Sequence, residues 1–129
     1  MLKPGIKGRQ EVMVTEENSA STLGSGLLDV FATPAMIALM EKTSFMSVAP
    51  YMNDGEGTVG TALNITHTAA TPLGMQVYCE SELTEVDGRR LVFHVEAFDE
   101  AGKIGEGEHE RFVINNEKFM MKALKKAEK

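Results

Sequence analysis

A chain of 129 residues has the length of one domain, 1–129, and enough surface to bury a core without a disulfide or metal staple. It is 43% hydrophobic and 25% charged, as soluble globular proteins are. Its net charge of −6, from 13 basic and 19 acidic residues, argues against nucleic-acid binding that relies on neutralising phosphates.

Cys79 is the only cysteine, which fits a reducing compartment. The N-terminal stretch MLKPGIKGRQEV lacks the apolar core of a secretory signal. The longest apolar run, Ala35 to Met40, is far short of the roughly 20 residues that span a bilayer. The expectation is a cytoplasmic protein without a membrane partner.

The predicted elements begin with a short strand over Gln10 to Val14. Glu16 to Gly26 (EENSASTLGSG) is polar and rich in Gly and Ser, and reads as a loop or lid. Thr33 then suits a helix N-cap and Pro34 the first helical position, where a missing N–H is harmless. This helix should run to about Ala49, where Pro50 stops it. Between Asp29 and Asp54 its only charged residues are Glu41 and Lys42, so it should be buried on most of its surface.

Thr58 to Ala70 is rich in Thr, Val and Ile and reads as a strand. From Thr58 through Cys79 there is no Asp, Glu, Lys or Arg, leaving His67 alone to titrate near neutrality. Met75 to Leu83 and Leu91 to Phe98 each alternate apolar and polar residues, the period of a half-buried strand. Asp87-Gly88 marks the hairpin turn between them, and Glu100-Ala101-Gly102 the next. Ile104 to Ile114 makes a last long strand, and Glu117 to Lys126 an amphipathic helix. A strand, a buried helix and then antiparallel strands predict an α+β hotdog fold, one sheet wrapped around one central helix. Such a sheet leaves an edge or face to cover, so at least a homodimer is expected.

His67, His94 and His109 are scattered, with no partner at zinc-site spacing, so neither a metal site nor a cofactor is expected. There is no phosphate-binding loop, dinucleotide fingerprint or G-x-S-x-G elbow. Ionisable residues in dry places remain. Glu41 lies one turn from Ile37 and one from Phe45, projecting from an apolar face; a buried carboxylate there would have a raised pKa and suit a general base. A rim carboxylate paired with a lysine is the other account of it. His67 stands in an uncharged strand, as a structural or a reactive imidazole. Thr33 is accounted for by capping alone. Gly60, inside a strand, suggests close approach of a backbone or ligand.

The segments FATPAMIALME at Phe31 to Glu41, APYMNDGEGTVGTALNITHTAATPLGM at Ala49 to Met75, and VDGRRL followed by IGEGEHERFVINNEKF resemble one family. They are similar to the hotdog thioesterases typified by fluoroacetyl-CoA thioesterase, over roughly residues 27 to 119. The resemblance implies hydrolysis of small acyl-CoA thioesters by a catalytic Thr33, Glu41 and His67. It also implies substrate contacts at Gly60, Arg111 and Phe31. Glu41 would attack the carbonyl or activate water, while His67 positions water and shuttles a proton. Thr33 would hydrogen-bond Glu41 or the substrate. Arg89-Arg90 or the C-terminal lysines are candidates for the CoA phosphates. The family's typical member carries a longer aromatic lid before its helix. Here Thr15 to Val30 offers Leu23, Leu27 and Leu28 and no aromatic before Phe31, which implies a different short-acyl preference. The alternative reading is a hotdog module that binds acyl-CoA or a small ligand without turning it over.

Overall fold

The period-two alternation in the second half of the chain becomes three long antiparallel strands in the structure, a computed structural model describing residues 1–128. These are β3 (Gln76–Asp87), β4 (Arg90–Asp99) and β5 (Gly102–Asn115). β1 (Lys7–Met13) and β2 (Glu56–His67) complete a five-stranded sheet in the order β1-β3-β4-β5-β2, with every neighbouring pair antiparallel. Gly88, with φ of 62°, turns the hairpin between β3 and β4, where a side chain would be strained.

Most of the inward positions are apolar. Val77, Cys79 and Leu83 of β3, Leu91, Phe93, Val95 and Ala97 of β4, and Ile104 and Val113 of β5 form the core. The long helix α2 (Thr33–Val48) covers them with Met36, Leu39, Met40 and Val48. Each large side chain so buried contributes about 1.5–3 kcal/mol before ordering entropy is subtracted. Helix and sheet approach closely because small residues meet: a Cβ on Gly8 of β1 would lie 2.8 Å from Thr43 O and Ser81 Oγ. Thr43 and Ser44, both buried, satisfy their hydroxyls on the carbonyls of Leu39 and Met40. This is the hotdog arrangement, a helix against the concave face of an antiparallel sheet.

The structure corrects three local expectations. Thr33 is the first residue of α2 rather than its cap; Ala32 holds the cap position, and Pro34 still falls in the first turn. The helix buries one face only, leaving Phe45 and Met46 at 40% and 44% exposure, because one sheet can cover only one side of a cylinder. The polar segment expected as a loop contains a 3₁₀ turn (Glu16–Asn18) and a short helix α1 (Ala20–Leu23), capped by Ser19, whose Oγ accepts from Thr22 N–H.

An amphipathic helix, α3 (Asn116–Lys125), follows β5, with Phe119, Met120, Met121 and Leu124 exposed. Among the described residues no helix is long and apolar enough to cross a membrane. β1 and β2 are the sheet edges. A bulge in β2 between Gly60 and Ala62 shifts the register against β5 and re-aims Gly60.

Candidate active site

The first turn of α2 meets the end of β2. Thr33 Oγ1 lies 2.7 Å from Nδ1 of His67, a hydrogen bond that orients the imidazole. His67 Nε2 is buried and has no hydrogen-bond partner among the described residues. Burial holds this imidazole below its ordinary pKa of 6.5, against a smaller opposing contact from the Ala69 backbone. Phe31, 2% exposed, is pinned by its N–H to Thr71 O at 2.8 Å. It lines a cavity of about 260 Å³ with Thr33, His67 and Ala69. Its ring also helps line an apolar cavity of about 400 Å³ with Leu23, Ala35, Ala38 and Leu39.

Two turns further along α2, a second group gathers. Glu41 Oε2 lies 3.7 Å from Arg111 Nη1, whose side chain is 7% exposed. A Cβ on Gly60 would fall 2.8 Å from Glu41 Oε2, 3.2 Å from His109 Cε1 and 3.4 Å from Arg111 Nη1. Gly60 is therefore glycine for space: any side chain would fill the opening beside the carboxylate. Arg111 is held from three directions. Its Nε donates to Thr58 Oγ1 at 2.8 Å, Nη2 to Thr58 O at 2.9 Å and Nη1 to His109 Nε2 at 3.0 Å. Its guanidinium also lies 5.5 Å from the Phe45 ring centroid.

All six residues singled out from the sequence fall in these two groups, with two corrections. Glu41 is not a lone buried carboxylate. Its side chain is 38% exposed in the single chain, and its partner is Arg111 rather than a lysine, because β5 carries that arginine up beneath the helix. Thr33 bonds His67 rather than Glu41, since eight helical residues separate the two by about 12 Å along the axis.

His109 is the residue that sequence reasoning missed. It is fully buried, and its scattered position gave no signal beyond its alternation with Arg111 on one strand face. Arg90 is committed elsewhere: its guanidinium pairs with Glu85 at 2.6 Å and with Glu110, which leaves it a poor phosphate anchor. On the outer sheet face His94, Glu96 and Glu106 converge within 4.8 Å, a cluster that strand pairing makes and sequence spacing could not reveal. The Lys103 ammonium sits with both carboxylates, at 2.6 Å from Glu96 and 3.3 Å from Glu106.

The chain matches the fluoroacetyl-CoA-specific thioesterase family over residues 14–117. It is 50% identical over 98 residues to the fluoroacetyl-CoA thioesterase of Streptantibioticus cattleyicolor, covering 76% of this chain and 70% of that relative. A crystal structure of a fluoroacetyl-CoA-specific thioesterase superposes with a TM-score of 0.93 at 39% identity, covering 98% of both chains. A thioesterase superfamily member from Thermus thermophilus superposes at 0.87 with 27% identity, covering 97% of this chain and 94% of that one. Sequence, sheet order and helix placement agree, and the chain belongs to the fluoroacetyl-CoA-specific thioesterase family, as a hotdog-fold thioesterase.

Proposed function

We propose that this protein hydrolyses short-chain acyl-CoA thioesters to the free acid and CoA, using Thr33, Glu41 and His67. The observation that carries this reading is the opening at Gly60. There a carboxylate oxygen of Glu41 faces a space that only glycine leaves clear, beside a buried guanidinium. A carbonyl carbon placed in that space meets an oxygen nucleophile and N–H donors for its developing charge. In the chemical step either Glu41 adds to the carbonyl and the C–S bond breaks to leave a mixed anhydride, which water hydrolyses to the acid and free Glu41, or water activated by Glu41 adds directly and the C–S bond breaks to give the acid. The proton released by the attacking water passes to the CoA sulfur through His67, whose Nε2, with no partner among the described residues, is the atom free to relay it. Arg111 and Phe31 border the acyl side. The relative solved with fluoroacetate and CoA supports CoA as the thiol carrier.

We place residues 1–129 in one domain working as a cytoplasmic homodimer. Gly60 and His67 are seven residues apart on β2, about 23 Å along the strand, so one chain keeps the two groups separate. β2 is an open edge with Leu63 42% exposed. Antiparallel pairing of two β2 edges about a two-fold near Leu63 and Asn64 sets His67 of the partner subunit beside Gly60 and Glu41. The same pairing covers the exposed face of α2. The acyl preference is not strongly fluorinated, since Leu27 and Leu28 of the segment before α2 are 94% and 70% exposed and no aromatic stands there.

The test is free-thiol release from a panel of short acyl-CoAs by wild type, Glu41→Gln and His67→Ala. Turnover by wild type that drops at least about 100-fold in both folded variants supports the reading. Tight acyl-CoA binding without thiol release would replace it with a binding module. A strong preference for fluoroacetyl-CoA over acetyl-CoA would overturn the specificity.

A further inference from the structure

His109 is a buried imidazole that the proposed chemistry does not use, and both of its nitrogens are committed. Nδ1 lies 3.0 Å from Ala62 O, which can only accept, so Nδ1 carries the proton. Nε2 lies 3.0 Å from Arg111 Nη1, which can only donate, so Nε2 is the bare acceptor. The ring is therefore neutral, in the Nδ1–H tautomer. It stands on β5 opposite Leu63 of β2 and Phe93 of β4, neither of which is charged. The charged groups that face it are Glu41 from α2 and Arg111 and Glu110 from its own strand.

We propose that His109 is the positioning residue for Arg111, presenting Nε2 as the acceptor that aims the guanidinium at the space between Glu41 and Gly60. The proposal rests on reading that space as the acyl site. Three of the five N–H groups of Arg111 are taken by His109 and Thr58. The others remain for the substrate carbonyl or the product carboxylate. Thr58 holds the Nε and Nη2 side of the fork, and among the described residues only His109 hydrogen-bonds Nη1, the nitrogen that faces Glu41. A buried histidine with a purely architectural role needs two satisfied nitrogens, but it does not need one of them spent on the cation of a ligand pocket.

Protonating His109 abolishes the acceptor and sets a second cation 3.0 Å from Nη1. Burial opposes that protonation, with the Arg111 charge adding to it and the carboxylate of Glu41 working against it. The neutral state that Arg111 needs is therefore kept at neutral pH.

The test joins spectroscopy to kinetics. Imidazole ¹⁵N NMR of wild type is expected to show His109 as the neutral Nδ1–H tautomer, with its Nε2 resonance moving in Arg111→Met. An Nε2–H tautomer, or an Nε2 resonance indifferent to Arg111→Met, overturns the proposal, and this readout stands even if no thioester is turned over. In kinetics with acetyl-CoA, His109→Leu is expected to lower kcat/KM about 10–100-fold, as loss of an orienting partner does. His109→Gln, which restores an acceptor oxygen, recovers most of that loss. In the Arg111→Met background His109→Leu should change kcat/KM by less than about threefold, because the two act as one unit. Multiplicative losses in the double variant, or no rescue by glutamine, would reduce His109 to a core residue. Should His109→Leu fail to fold, the glutamine variant and the NMR comparison decide.

Discussion

The hydroxyl of Thr33 and Nδ1 of His67 stand 2.7 Å apart, tying the first turn of α2 to the last residue of β2. This bond orients an imidazole whose other nitrogen is buried and has no partner among the described residues. Thr33→Val keeps the shape of the side chain and removes the hydroxyl. We expect kcat for acetyl-CoA to fall about 10–100-fold, the usual loss when an orienting partner goes. Thr33 is exposed and makes no side-chain cap bond, so the melting temperature should hold within about 2 °C. Unchanged kcat would detach this contact from the chemistry.

Gly60→Ala is the smallest change that fills the opening beside Glu41. The added methyl would lie 2.8 Å from Oε2, closer than ordinary contacts allow. The carboxylate is half exposed and can swing aside, so the fold should survive with a loss under about 2 kcal/mol. Thioester hydrolysis should fall at least about 10-fold, read as thiol release against an unfolding curve. Full activity in this variant would mean the substrate does not use that opening.

The composite arrangement across two β2 edges has a direct test by complementation. Glu41→Gln and His67→Ala homodimers should each be inactive. Mixed after co-expression, their heterodimer carries one site with an intact Glu41 from one chain and an intact His67 from the other. Recovery approaching half the wild-type activity per heterodimer is expected. If purified heterodimer stays dead, both residues serve a site within one chain.

Stability should depend on pH at both ends. His67 and His109 have pKa values held below 6.5 in the folded chain, so the unfolded state binds more protons as pH falls below 6.5. Their contribution is complete above 6.5 and is lost as pH drops through the folded values. Cys79 behaves oppositely: burial pushes its thiol from 9.0 up to about 11, so stability is complete below 9.0 and falls as pH rises toward 11. Urea midpoints measured from pH 5 to 10.5 should form a plateau between those limits. Cys79, with no exposed surface, should also resist thiol reagents at pH 8 until the protein unfolds. Rapid labelling of native protein would contradict this packing.

Much of this architecture was legible before the tertiary structure. The alternating residues from Val77 to Leu83 and from Leu91 to Ala97 are the buried faces of β3 and β4, because a strand's period of two is written into the chain locally. Helix α2 was marked instead by its ends, Pro34 in its first turn and Pro50 just past its last residue, and by a sequence apolar on nearly every side. Its uniform apolarity was less informative, since it could not say which side meets the sheet and which is left uncovered. Capping propensity also misplaced Thr33 by one position, because its hydroxyl is bonded to a strand far away in sequence rather than to its own helix.

Residue types alone singled out Glu41, His67 and Gly60, each unusual where it stands: a carboxylate in an apolar helix, the one ionisable side chain in an uncharged strand, and a glycine inside a strand. What those residues touch was decided only by the order β1-β3-β4-β5-β2, which seats β5 beside β2 and so brings Arg111 and His109 against Gly60. Periodicity is a property of neighbours along the chain. The ion pair of Glu41 with Arg111 joins a helix to a distant strand, and the meeting of Arg111 with Gly60 is a property of register between strands some 50 residues apart; no local pattern encodes either.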